Sequence, residues 1–176
     1  MSLQPCFTRI ALSLLALGAA ASPPAWADKH RPVPFKASVT TQEVLSFDPT
    51  RCASVVVGTT TGQGTASHMG AVTLAASDCP LTQDGANFFF SDGRLTLTAA
   101  NGDTLKAIYS GTLLPVPGAN PPVHAINGTF SVTGGTGRFA GARGGGSLQG
   151  SEDLATLKGR YEVSGMLTLR SESDRD

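Results

Sequence analysis

The chain has 176 residues, with 13 basic and 13 acidic side chains, few aromatics (6%) and 21 glycines. That length supports one domain. A balanced charge with no basic stripe removes the electrostatic footprint that nucleic-acid binding needs. Scarce aromatics and abundant glycine suit a sheet protein with many turns and close strand crossings.

In chain order, Arg9 supplies a cationic start and residues 10–21 an apolar run containing Leu12, Leu14, Leu15 and Leu17. Ala25-Trp26-Ala27 then gives the small-x-small pattern of a signal-peptidase site. The run is shorter than the roughly 20 residues a spanning helix needs. Residues 1–27 are therefore expected to be a cleaved signal peptide, and the protein to be secreted or periplasmic with no membrane span in the mature chain. Cutting after Ala27 leaves 149 residues, 12 basic and 13 acidic, with a net charge of −1. Residues 28–36 carry two prolines and read as an extended leader to a domain at 37–176.

Periodicity beyond the leader is two rather than 3.6. In 157–169 the odd positions include Leu157, Tyr161, Val163, Leu167 and Leu169, and the even ones Lys158, Arg160, Glu162 and Thr168. Such alternation describes a strand with one dry and one wet face. Asp92-Gly93 and Asn101-Gly102 mark two tight hairpin turns, predicting a meander of 87–91, 94–100 and 104–114. Further strands are expected at 37–47, 53–61, 64–77, 123–132 and 145–151, making eight or nine. Residues 115–122 form a loop too rich in proline for ladder pairing. Uniform alternation without a helical stripe favours an all-β antiparallel barrel of about eight strands, since closure removes exposed edges. A two-sheet sandwich is the second choice.

Cys52 and Cys79 survive signal cleavage, and an isolated pair in an oxidising compartment reads first as a disulfide. The alternatives are a thiol nucleophile or a metal site. His30, His68 and His124 are too scattered to form a metal site alone, so neither metal nor cofactor is expected. Asn127-Gly128-Thr129 is a sequon that matters only in a eukaryotic secretory route.

The most distinctive stretch is 132–144, with Gly134, Gly135, Gly137, Phe139 and Gly141. A phosphate loop would need a following helix and a Lys-Ser or Lys-Thr pair. Here strands surround the motif and no Lys follows. These glycines instead suit a turn through positive φ close to a neighbouring strand, anchored by Phe139. The motif resembles the Gly-Gly-Thr-Gly-x-Phe-x-Gly-Ala turn shared by allene oxide cyclases, dirigent proteins and the bacterial secreted proteins grouped with them. Residues 64–70 also look like the bacterial branch. The resemblance implies an eight-stranded antiparallel barrel with an apolar cavity, trimeric in the plant relatives. Cyclases of this group use a cavity carboxylate, and dirigent proteins guide a coupling without performing the oxidation. Neither set of pocket residues can be matched onto this chain.

Strand parity singles out Glu43, His68, Tyr109 and Tyr161 as polar residues on otherwise apolar faces, with a bulge at Gly70 the risk for His68. In a barrel all four would line the interior and need partners to offset desolvation. They read either as the polar end of a ligand cavity, with Glu43 a base or acceptor, or as residues that satisfy one another. Three functions follow. The first is non-catalytic binding of a small apolar or amphipathic ligand in the barrel. The second is an isomerase or cyclase acting on a lipid-derived epoxide, or a dirigent-like guide. The third is a barrel filled by its own side chains that works through its surface.

Overall fold

A computed structural model describes residues 32–169 except 83 and 121; residues 1–27, expected to be a signal peptide, and His30 lie outside the described residues. Eight antiparallel strands run β1 (Val33–Phe47), β2 (Val56–Ala66), β3 (Gly70–Thr82), β4 (Phe88–Ala99), β5 (Thr104–Pro115), β6 (His124–Gly135), β7 (Arg143–Asp153) and β8 (Lys158–Thr168). Each pairs with its sequence neighbour, and β1 also pairs with β8, closing the barrel. This excludes the sandwich. No helix among the described residues is long and apolar enough to cross a membrane.

Three boundaries differ from the sequence reading. The visible part of the leader, 33–36, is strand, with Val33 opposite Leu167. Asp92-Gly93 is not a hairpin turn. Asp92 adopts φ 51° inside β4, and the register shifts between Phe90 and Gly93 while pairing to β5 resumes beyond. The dipeptide makes a bulge, because pairing partners continue on both sides, and this gives eight strands rather than nine. Gly64 belongs to β2, and the β2–β3 turn falls at 67–69 instead.

Antiparallel order gives the barrel two unlike ends. At one end lie the start of β1 and the β2–β3, β4–β5 and β6–β7 connections. Phe35, Leu105, Phe139 and Leu167 there are each 1% exposed or less, so this end is plugged. Burying Phe139 alone contributes about 2 kcal/mol. The glycine motif shapes the plug. Gly137 (φ 55°) and Gly141 (φ 70°) take the left-handed region, and a short 3-10 turn at Gly137–Phe139 drops the ring inward. Thr104 and Thr136 lock this turn to β5: the Thr104 amide donates to Thr136 Oγ1 at 3.0 Å, and the Thr136 amide to the Thr104 carbonyl at 2.9 Å. At the other end, the mouth, lie the β1–β2, β3–β4, β5–β6 and β7–β8 connections. Between plug and mouth the enclosed apolar interior holds a cavity of only about 50 Å³.

Cys52 and Cys79 form a disulfide, Cα–Cα 5.4 Å, between the β1–β2 loop and β3. The bond sits at the mouth.

Two stability outcomes follow. A Cβ at Gly135 would collide with the Thr104 carbonyl oxygen and stand 2.8 Å from Phe139 Cβ. Gly135→Val is therefore expected to cost about 3 kcal/mol or to mispair the barrel, read by urea unfolding; an unchanged midpoint would show that the turn tolerates a side chain. Replacing both cysteines by serine opens a loop spanning 27 residues and should cost roughly 3–4 kcal/mol on the chain-entropy relation, read in the same experiment.

Candidate functional site: an acid cluster at the barrel mouth

Inward parity carries one carboxyl group to the mouth from each of three strands: Glu43 on β1, Asp78 on β3 and Glu152 on β7. Asp78 is 7% exposed and Glu152 3%. Tyr109 on β5 and Tyr161 on β8 lie beneath them and donate one hydrogen bond each, Tyr109 Oη to Asp78 Oδ2 at 2.7 Å and Tyr161 Oη to Glu152 Oε2 at 3.2 Å. Glu43 and Glu152 are neighbours whose carboxyl groups act on one another's ionisation, and two acids so placed favour holding a proton between them.

Two glycines make this approach possible. Gly58 on β2 stands opposite Asp78. A Cβ there would overlap Glu43 Oε1 and lie 3.0 Å from Asp78 Oδ1. Gly93 stands opposite Tyr109, and a Cβ there would lie 2.7 Å from the ring Cγ. The bulge at Asp92-Gly93 thus seats the tyrosine that holds Asp78.

The β1–β2 loop frames the mouth. Asp48 Oδ1 folds it by accepting hydrogen bonds from the Thr50 amide (2.9 Å), the Thr50 hydroxyl (2.7 Å) and the Arg51 amide (3.2 Å). The disulfide then fixes the loop beside Asp78. Arg51 turns its guanidinium to the Asp92 carbonyl (2.7 Å) and Cys79 Sγ (3.1 Å). Among the described residues the ion pair that forms is Arg160–Glu162 on the outer surface, so no lysine or arginine neutralises the cluster at contact distance.

The electrostatics follow. Burial, reinforced by the charges of Glu152 and Asp78, pushes Glu43 up to about 8. Burial pushes Asp78 up to about 6, against the hydrogen bond from Tyr109 that favours its ionised form. Burial likewise raises Glu152, opposed by hydrogen bonds from Glu43 and Tyr161. Both tyrosines are held well above their ordinary value, first by burial and then by the nearby carboxylates. Near neutral pH these shifts favour retention of a proton by the Glu43–Glu152 pair.

The cluster opens into a pocket of about 420 Å³, walled by Leu45, Pro80, Phe88, Phe90, Leu113 and Leu157. Ligand sites commonly fall between about 300 and 1,000 Å³. A few polar groups at one end of an apolar wall can orient a small organic molecule. Among the described residues no group of His, Cys, Asp and Glu is arranged to hold a metal ion.

Of the four side chains singled out by parity, Glu43, Tyr109 and Tyr161 meet here. His68 does not. The turn at 67–69 breaks its parity with Val72 and Leu74, it adopts φ 64°, and its exposed ring donates from Nε2 to the Pro34 carbonyl at 3.0 Å, at the plugged end. Asp78 and Glu152 escaped the sequence reading, although each continues an inward series: Val72, Leu74, Ala76, Asp78, and Leu148, Gly150, Glu152.

A pH dependence of stability follows with a definite sign. The unfolded chain ionises these groups near 4.5 and 3.8, while the folded one retains protons to about 8 at Glu43 and about 6 at Asp78. Across that window the unfolded state binds fewer protons, so stability falls as pH rises. The acid side is set by Asp48, Asp84 and Asp153, which hydrogen bonds in their turns hold below the ordinary value; their contribution is present above 3.8 and lost as pH falls through the lowered values. Thermal melting should be highest near about pH 5 and lose on the order of 2–3 kcal/mol by about pH 8, the open mouth screening part of the charge. Glu43→Gln should flatten that decline. Stability rising from pH 5 to 8 would contradict the burial of these acids.

No family model matches the chain, and no curated protein matches it. Among solved structures it is similar to the pterocarpan synthase dirigent protein GePTS1, with a TM-score of 0.52 over 89% of this chain and 100% of that one, at 15% sequence identity. In fold, the chain is a dirigent-like eight-stranded antiparallel barrel.

Proposed function

We propose that the protein binds a small amphipathic organic molecule at the barrel mouth, its polar end on the acid cluster and its apolar body on the wall formed by Phe88, Phe90 and Leu113. The observation that carries this reading is the convergence of three carboxyl groups and two tyrosines at the floor of a 420 Å³ apolar pocket. The seat is the mouth rather than the enclosed interior, whose 50 Å³ cannot take an organic ligand. The disulfide suits an oxidising compartment, so we place this binding outside the cytoplasm, in the periplasm or in secreted form.

A second reading rests on Glu43. A carboxylic acid still protonated at neutral pH can donate to a ligand oxygen and so activate it toward ring closure or coupling. Likeness of fold to a dirigent protein makes a guide of that kind the form of chemistry that suits the barrel best. Oxidation would be supplied elsewhere.

Native mass spectrometry of gently purified protein, together with titration by 2-naphthol as an amphipathic probe, tests the binding reading. A retained organic mass, or saturable binding weakened about tenfold by Phe88→Ala (the loss of one buried aromatic wall), is expected. No retained mass and no saturable binding would leave a barrel that works through its surface. Glu43→Gln separates the two readings, since glutamine preserves the shape and a donor but cannot surrender a proton. Binding should survive that change, and any acid-assisted turnover should not.

A further inference from the structure

The acid cluster has a feature that a neutral ligand leaves unanswered. Glu152 is 3% exposed and lines the pocket. Its Oε2 accepts from Tyr161, whereas its Oε1 is buried and receives no hydrogen from any fixed donor among the described residues. Its near neighbour in the cluster is Glu43, itself an acid. Tyr109 is committed to Asp78, and Arg51 is turned away to the Asp92 carbonyl. A buried carboxylate oxygen without a donor is costly, by about 1–3 kcal/mol or more for a charged group. The pocket is therefore short of hydrogen-bond donors and of positive charge together.

We infer that the mouth takes an organic ammonium, a primary or secondary amine carrying an apolar body, whose N–H groups reach Glu152 and Glu43 while its body lies against the aromatic wall. The inference rests on the ligand-binding reading above and names the class of ligand. A phenol or alcohol brings one hydrogen and no charge, and would leave a carboxylate pair still in need of its shared proton. An ammonium brings two or three hydrogens and a positive charge. Phe90 and Tyr109, with ring centroids 5.8 Å apart, add π faces that favour a cation. A compact metal ion would need ligands converging on one point, which the described residues do not provide.

The proton balance is explicit. As the ammonium seats, the proton shared by Glu43 and Glu152 leaves to solvent, and the amine N–H groups replace it. The titratable and charged groups around the cluster are Glu43 from β1, Arg51 from the β1–β2 loop, Asp78 from β3, Tyr109 from β5, His124 from β6, Glu152 from β7 and Tyr161 from β8; β2 and β4 present Gly58, Phe88 and Phe90 there. His124 faces Glu152 across the β6–β7 ladder and donates from Nε2 to the Ala86 carbonyl at 3.2 Å. Below the Glu43 value of about 8 the amine must displace a proton. Its affinity therefore rises with pH, by at most about tenfold per unit for one proton.

Calorimetry with phenethylamine and its neutral isostere 2-phenylethanol, each in phosphate and in Tris, tests this. The amine should bind about tenfold or more tightly at about pH 9 than at about pH 6, with the alcohol unchanged, as linkage to one proton requires. Near neutrality the amine enthalpy should differ between buffers by the release of up to about one proton, and Glu43→Gln should abolish that release. Glu152→Gln, confirmed folded by its melting transition, should erase the preference for amine over alcohol. Equal, pH-independent binding of amine and alcohol would overturn the ammonium inference while leaving the ligand pocket standing. Failure of both probes to bind would remove both.

Discussion

Three carboxyl groups gathered inside one barrel mouth, with no basic side chain of the described residues in contact, resist being ionised together. Desolvation penalises each charge, and each charge penalises the next. Proton retention is therefore favoured, and burial together with the charges of Glu152 and Asp78 pushes Glu43 up to about 8. That requirement explains why Tyr109 and Tyr161 each donate to one acid, and why Gly58 and Gly93 stand where any side chain would push these groups apart.

The fold allows so unfavourable an arrangement by separating its two ends. Phe35, Leu105, Phe139 and Leu167 fill the plugged end with side chains shielded almost completely from water. Stability is concentrated there and in the continuous ladder. The mouth is then free to hold groups that work against folding, a division common where binding sites carry strain or unmatched polarity. The disulfide reinforces the mouth at the β1–β2 loop, which lacks ladder pairing of its own, and so keeps the frame around the acids fixed.

Much of this was legible in the sequence. Period-two alternation, the absence of helical stripes and the glycine motif with Phe139 specified a closed antiparallel barrel. Parity alone placed Glu43, Tyr109 and Tyr161 inside. Asp92-Gly93 misled because a hairpin turn and a bulge both need positive φ, and only the pairing partners tell them apart. Asp78 and Glu152 were lost for a related reason. The strands expected at 64–77 and 145–151 each stop one residue short of the acid, since acidic residues are depleted in strands and serve as natural end markers. Here tertiary context overrode that preference, and the two residues that looked like strand ends became the floor of the site. His68 shows the converse: a residue with inward parity in the strand expected at 64–77 leaves the interior because the turn falls at 67–69.

Everything proposed for the mouth depends on acids that hold their protons where ordinary carboxyls have lost them. Carbon-13 NMR of the side-chain carboxyl groups, followed across pH on protein labelled at Glu and Asp, observes that state directly. A glutamate signal that titrates near about 8, assigned by its disappearance in Glu43→Gln, together with an aspartate titrating near about 6, is what the buried cluster predicts. If every carboxyl instead titrates in the ordinary range around 4, the mouth is wet, its acids are independent, and the pocket described here does not exist as a site.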